Sequence, residues 1–319
     1  MILFYLIILI SFLIFFLYNK EGFNLRKNDF DEIFKENGIV NDKEKKIVFY
    51  KGKELPYTNL NKTYINEKSI VKKILLENGI PTSNYYMWKP EMSDSDNLNN
   101  LFLLKRPLVI KPDLGQQGYG VSTNIVHDND ILQKVHALLN KNKDVIIEEQ
   151  VENCKEYRVT VLNGEVIGAT EKTTATVVGD GSHTIWQLIE KFNTGREYKI
   201  HTVDYAYIKQ QGYEKDDILP NGVKVILTNV ANMSNGSSVK EVDLNKIHPM
   251  NKLLFKQINE VLHYTITGID YLGDLEVPYT LMGSVIEVNP APGIEIHSDT
   301  VKDKKSFLMS IVDNLFQNQ

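Results

Sequence analysis

Residues 107–123 read PLVIKPDLGQQGYGVST. The apolar run from Pro107 to Ile110 has the composition of a buried strand. It delivers Lys111 into a turn that holds Gly115, Gly118 and Gly120 among small and polar residues. Glycines at that density let the backbone approach a ligand closely and turn N–H groups toward an anion. A lysine at the strand end adds a full positive charge to the cradle. A polyphosphate is the natural guest, although the same turn also suits the plain closing of a hairpin. The stretch is neither G-x-x-x-x-G-K-[ST] nor a G-x-G-x-x-G that opens a helix, which disfavours both of those nucleotide-binding patterns.

Upstream, residues 67–78 place Ile70, Val71, Ile74 and Leu75 on the stripe of an amphipathic helix, ended by Asn78-Gly79 with Pro81 beyond. Residues 91–100, EMSDSDNLNN, read as a polar loop. Downstream the pattern predicts a helix at 129–139 and a strand at 145–147. A hairpin then pairs 157–162 with 165–170 across Asn163-Gly164, a strong two-residue turn signal. A short helix is expected at 184–192, and residues 195–222 show no clear period. A strand at 223–230, a helix at 249–264, strands at 267–272 and 284–289 and a helix at 303–316 complete the series. Antiparallel hairpins in place of repeated βαβ units indicate an α+β fold.

The 319 residues carry a formal net charge of −5, and no basic stripe points to nucleic acid. The single cysteine, Cys154, excludes an intramolecular disulfide and a cysteine-based metal site. Residues 1–18, MILFYLIILISFLIFFLY, have no charged side chain. As a helix they would rise about 27 Å, close to the thickness of a bilayer's hydrocarbon core. No basic leader or small-residue cleavage site is visible, so an uncleaved, single-pass transmembrane anchor is favoured over a signal peptide. Lys20, Arg26 and Lys27 follow it, which by the positive-inside rule puts the soluble domain in the cytoplasm. The division expected is an anchor at 1–18, a linker and short leading segment at 19–63, and one domain over 64–319, with the glycine turn in a subdomain at about 107–175.

A second constellation lies near the C-terminus: Gly268-Ile-Asp270, then Val285-Ile-Glu287-Val-Asn289-Pro-Ala-Pro-Gly293. Glu287 and Asn289, two apart on a strand, share a face. Asp270 sits on another apolar strand. Two carboxylates and an amide oxygen are hard donors that suit Mg²⁺. They also suit the wet face of a half-exposed sheet. The apolar neighbours Ile269, Tyr271, Val285, Ile286 and Val288 favour a metal, because an unpaired carboxylate among them would be costly.

From about Tyr64 onward the chain resembles the ATP-grasp superfamily of carboxylate–amine ligases, and within it the ATP-grasp domain of cyanophycin synthetases. The residues that carry the resemblance are EKSIVKKILLENGIP (67–81), VIKPDLGQQGYGV (109–121), EEQVENCKEYRV (148–159), VVGDGSHTI (177–185), NMSNGSS (232–238) and GID with VIEVNPAPGIEIH (268–270 and 285–297). It implies an ATP-grasp fold, two α+β subdomains gripping ATP. It further implies Lys68 and Lys111 as phosphate-binding lysines, Lys172 as a third basic group near the γ-phosphate, and Arg158 facing the transferring phosphoryl. Gly115, Gly118 and Gly120 would close over the phosphates. The adenine hinge would run from Glu148 to Val151, with Glu149 an equal candidate by its spacing of seven from Glu156, the expected ribose ligand. Asp270, Glu287 and Asn289 match the magnesium ligands, with Mn²⁺ as an alternative ion. Asn232, Ser234, Gly236 and Ser237 look like an acceptor-binding loop, or else a solvent loop, and His297 is a candidate substrate contact. His183 reads as structural.

The implied reaction is ATP-dependent carbon–nitrogen ligation through an acyl phosphate, joining small-molecule or peptide carboxylates and amines. Two departures remove positive charge near the expected acceptor site. Thr228-Asn229 stands where cyanophycin synthetases carry a basic pair, and Glu295 stands where an arginine is expected before His297. An ATP-binding scaffold without ligase activity is therefore the alternative expectation.

Overall fold

The computed structural model of the protein describes residues 32–317 except 43, 116–117, 153, 195–198, 229–230, 232–234 and 298–302. Three short strands, Val40–Asp42 (β1), Ile47–Tyr50 (β2) and Lys53–Pro56 (β3), form an antiparallel sheet in sequence order. It packs Ile39, Tyr50 and Leu55 against Val312 and Phe316 of the C-terminal helix, Lys304–Gln317. This small sheet lies in the stretch expected as a linker and short leading segment, where β1 and β3 are too short and polar to announce themselves.

Helix α1 (Lys68–Glu77) follows, then β4 (Tyr85–Met87) and α2 (Asp94–Asn100). The polar stretch at 91–100 is thus partly helical. Ser93 caps it by accepting from the Asp96 backbone N–H, and buried Asn97 bonds the Lys89 backbone and the Tyr86 hydroxyl. Side-chain caps and polar bonds hold this helix where an apolar stripe is missing. Strands β5 (Leu108–Pro112), β6 (Ser122–Ile125) and β7 (Val145–Glu149) join β4 in a four-stranded sheet of order β4-β7-β5-β6. Helix α3 (Asp128–Leu139) covers it, packing Ile131 and Val135 onto Leu108, Ile110, Val145 and Ile147.

Strands β8 (Lys155–Leu162) and β9 (Glu165–Thr173) form the predicted hairpin. Asn163 and Gly164 both take positive φ, 51° and 80°, as a tight hairpin turn of this kind requires. A small module follows: β10 (Thr176–Val178), α4 (Ile185–Asn193), α5 (Tyr205–Gln210) and β11 (Lys224–Ile226), with its own core of Val177, Ile185, Ile189, Ile208 and Val225. Strand β12 (Ser238–Glu241), helix α6 (Pro249–Leu262), β13 (Ile266–Gly273) and β14 (Gly283–Asn289) complete the chain before the C-terminal helix. The main sheet has five strands in the order β12-β9-β8-β13-β14, all antiparallel. Tyr157, Val159 and Val161 of β8 and Ile269 and Tyr271 of β13 pack with Phe255 and Ile258 of α6. Alternation then sends Glu156, Arg158, Thr160, Gly268 and Asp270 to the other face.

Two expectations are corrected. Among the described residues no helix is long and apolar enough to cross a membrane, so an α+β fold with a transmembrane helix is not what is found. The stretch read as the anchor, residues 1–18, lies outside the described residues. The membrane-anchored, single-pass localisation and the membrane partner rested on that stretch alone, and they fall with it.

Candidate active site

The register of the main sheet builds the site in rows. Asp270 on β13 stands opposite Arg158 on β8 and opposite Glu287 on β14. One row along, Gly268 stands opposite Thr160 and Asn289. On the other side Glu156 stands opposite Lys172. Glu156, Arg158, Lys172, Asp270, Glu287 and Asn289 face a cavity of about 1060 Å³ whose far wall is the four-stranded sheet, including Val109, Lys111, Glu148 and Glu149. Two sheets thus grip one space, and they bring to it segments that are far apart in sequence.

Charge is dense on the main-sheet wall. Arg158 Nε and Nη2 donate to Asp270 Oδ1 and Oδ2 at 2.8 and 2.9 Å. Lys172 Nζ donates to Asp270 Oδ1 and to Glu156 Oε1, each at 2.7 Å. Burial alone would raise the Asp270 pKa, yet Arg158 and Lys172 outweigh it and hold the carboxyl at about 2. Burial lowers and the Asp270 charge raises the pKa of both cations, with a net rise for each. Glu156 moves the other way: burial pushes it up despite Lys172. The Gly268 position is tight. A Cβ there would sit 2.8 Å from Arg158 Nη1 and 2.7 Å from Pro292 Cβ, so only glycine leaves the guanidinium its place.

The opposite wall is joined to the glycine turn and to α1. Lys111 Nζ lies 2.5 Å from Glu148 Oε1, and Lys72 Nζ lies 2.9 Å from Glu148 Oε2. Lys68 Nζ donates to the Gly115 carbonyl at 2.8 Å and stands 3.9 Å from Glu287 Oε1. Glu67, the residue preceding α1, makes no side-chain cap. Asp113 supplies one from the glycine turn, accepting from Ser69 N at 2.7 Å and Ser69 Oγ at 2.8 Å.

Of the residues singled out in the sequence, Lys68, Lys111, Gly115, Gly118, Glu148, Glu149, Val151, Glu156, Arg158, Lys172, Asp270, Glu287 and Asn289 all line this cavity. Glu148 nevertheless spends its carboxylate on two lysines. Glu149 accepts from Lys105 N and Asn84 Nδ2 at the rim. Gly120 serves packing, with φ of +76° and Leu138 Cδ2 2.9 Å from where a Cβ would be. Gly236 likewise packs against Ile200, in the small module. Ser237 is buried and is not among the lining residues, and Asn229, Asn232 and Ser234 lie outside the described residues. His297 does not reach the cavity. It is fully buried, with Nε2 2.7 Å from Thr160 Oγ1, its ring against Gly168, and its pKa lowered to about 4, by burial first and then by Arg158. His183 closes a turn on Asp180 at 2.8 Å, consistent with a structural part. Sequence reading does not single out Tyr207, Gln210 or Ile226, which the small module brings to the cavity edge, nor Asp113 and Lys72.

The oxygen donors fit a hard divalent ion in kind and number. Asp270 and Glu287 are direct cross-strand neighbours, Asn289 follows on the same face, and Asp270 Oδ2 accepts from Arg158 Nη2. Among the described residues no group of three or more His, Cys, Asp or Glu side chains is placed to hold a metal. An ion here would therefore take two carboxylates and an amide, and complete its shell with phosphate and water, as Mg²⁺ commonly does.

Comparison with known proteins agrees with this geometry. Residues 88–236 match a family described as an ATP-grasp domain, clade family 2. The chain is 31% identical over 207 residues to a cyanophycin synthetase of Synechocystis sp., a match covering 60% of this chain and 23% of the relative. It is 30% identical over 220 residues to the glutathione biosynthesis bifunctional protein of Streptococcus agalactiae, covering 64% of this chain and 28% of the relative. The chain thus spans about a quarter of the length of the curated relatives it matches. A bifunctional glutathione synthetase from Pasteurella multocida superposes with a TM-score of 0.54 at 21% identity, over 90% of this chain and 43% of that one, which shows a shared fold. By sequence over residues 88–236 and by fold, the chain contains an ATP-grasp domain, and it is similar to part of the cyanophycin synthetases.

Proposed function

We propose that the protein is an ATP- and Mg²⁺-dependent ligase that joins a carboxylate to an amine through an acyl phosphate, with amino acids or peptides as substrates. The observation that carries this reading is the row Arg158–Asp270–Glu287, which faces Lys111 across the cavity and has Lys68 beside Glu287. A carboxylate attacking the γ-phosphorus of ATP is a meeting of anions, and fixed positive charge is what such a site must supply. Lys68 and Lys111 would hold the phosphates, Glu156 the ribose, and Arg158 with Lys172 the transferring phosphoryl. Glu148–Val151 would border the adenine. Asp270, Glu287 and Asn289 would hold Mg²⁺, which supplies charge neutralisation between the phosphates when bound. ADP leaves as the acyl phosphate forms; the amine then attacks the acyl carbon and phosphate leaves. The glycine turn, tied to α1 through Asp113, would keep water from the acyl phosphate.

The names of the relatives support amino acids and peptides as the substrate class. Thr228 at the cavity wall, where a basic residue is expected, argues against the substrates of a cyanophycin synthetase as such. The test is release of ADP and phosphate from Mg·ATP against a panel of amino acids and dipeptides, with the new amide identified by mass. Release that requires both a carboxylate and an amine is expected. ATP binding without turnover on any pair would mark an ATP-binding scaffold instead.

A further inference from the structure

Lys72 is a buried cation to which the reaction above gives no part. Its side chain is 3% exposed, and it is absent from the wall of the main cavity. Three partners fix its ammonium: Glu148 Oε2 at 2.9 Å, Thr82 Oγ1 at 2.7 Å and Ser83 Oγ at 2.9 Å. Thr82 in turn donates to the Val285 carbonyl at 2.6 Å, so the lysine is seated on the strand that carries Glu287. The ion pair with Glu148 and the hydrogen bonds to Thr82 and Ser83 hold the ammonium in place, away from the main cavity. Lys111, by contrast, lines the cavity, with the same Glu148 at 2.5 Å.

A carboxylate between two lysines has a simple charge consequence. Were Glu148 paired with Lys111 alone, the two would cancel, and the cavity would feel little of the lysine. Lys72 balances Glu148 from behind, which leaves one net positive charge at the end that faces the cavity. We propose that Lys72 is a positioning residue: a buried counter-cation of Glu148 that releases the charge of Lys111 for a polyphosphate ligand without touching that ligand. The inference rests on the reading of the cavity as an ATP site. It also accounts for a glutamate beside the phosphate-facing lysines, where it would otherwise repel the ligand.

Four proteins test it by titration with Mg·ATP: wild type, Lys72→Met, Glu148→Gln and the double variant. Wild type that binds no ATP refutes the ATP reading itself, and with it this inference. Given binding, Lys72→Met is expected to weaken it by about tenfold or more, the effect of one desolvated charge within a few ångströms of the phosphate-facing lysine. The double variant restores the net charge and is expected to return to within about threefold of wild type. A lysine that acts through packing alone would not give that recovery, because the second substitution leaves the packing defect in place. Lys72→Met that binds as wild type does, or a double variant as weak as the single one, would overturn the proposal. Should Lys72→Met fail to fold, Glu148→Gln is compared with the double variant. Tighter binding by Glu148→Gln is expected, and equal affinities overturn the idea.

Discussion

Arg158 and Asp270 meet through two parallel hydrogen bonds, Nε to Oδ1 at 2.8 Å and Nη2 to Oδ2 at 2.9 Å, from directly opposed positions on β8 and β13. A fork meeting a fork fixes the guanidinium plane as well as its place. Arg158→Lys keeps the charge and loses the plane, so ligation turnover should fall about 100-fold or more while ATP binding changes little. Arg158→Met leaves Asp270 with Lys172 alone and should cost about 3 kcal/mol of stability, read from urea denaturation. Full turnover in Arg158→Lys would remove the arginine from the reacting end of the cavity.

Glu287 has a different standing from Asp270. Its side chain is 31% exposed and its nearest cation, Lys68, is 3.9 Å away, a loose pair that contributes little to folding. Glu287→Gln should therefore unfold as wild type does, yet lose most of the turnover and need a higher Mg²⁺ concentration for what remains. A magnesium titration of initial rate checks this; an unchanged curve would take Glu287 out of the metal's reach.

Asp113 caps a helix from a distant part of the sequence, accepting from the backbone and hydroxyl of Ser69 at 2.7 and 2.8 Å. Asp113→Ala removes the cap and should destabilise the protein by about 1 kcal/mol, within the usual range for helix caps. It should also raise the KM for ATP, since Lys68 and Gly115 meet beside that cap. Loss of stability with KM unmoved would show that the turn does not depend on the helix for its position.

The buried imidazole of His297 has its pKa lowered from 6.5 to about 4, first by burial and then by Arg158. The unfolded chain takes up a proton near pH 6.5 and the folded one only near pH 4, so stability should fall as pH drops between those values and level off below. The loss attributable to this group is up to about 3 kcal/mol. Urea denaturation of wild type and His297→Gln at about pH 7 and about pH 4.5 measures it as the difference between the two proteins. Equal pH dependence would mean that His297 takes up its proton at the same pH in the folded and the unfolded chain.

Most of the cavity wall is legible in the sequence because its residues come in local runs whose spacing survives in one dimension. Lys111 follows an apolar strand and precedes glycines; Glu287 and Asn289 are two apart on a strand. What stays hidden depends on contacts between distant segments. Lys72 reads as an ordinary solvated lysine on an amphipathic helix. The only clues are that it lies between Val71 and Leu75, both buried, and one turn beyond Lys68. Asp113 as a cap joins residues 44 apart, which no local pattern encodes. Tyr207 and Gln210 belong to a stretch without hydrophobic period, where the six-residue α5 is too brief to declare itself. The motif around His297 suggests a substrate contact, whereas the fold seats that ring under Gly168 and beside Phe307. The hydrophobic N-terminal run shows the opposite hazard, since composition alone suggests an anchor.

The pairing of Asp270 with both Arg158 and Glu287 sets a rule for how this protein can change in length. A single-residue insertion or deletion within β13 would turn Asp270 toward the helix side and push Ile269, now wholly buried, into the cavity. The connection at 274–282 lies beyond the last paired rung and carries no such constraint. Variation in chain length should therefore collect there, while the strand itself tolerates substitution but never a change in count.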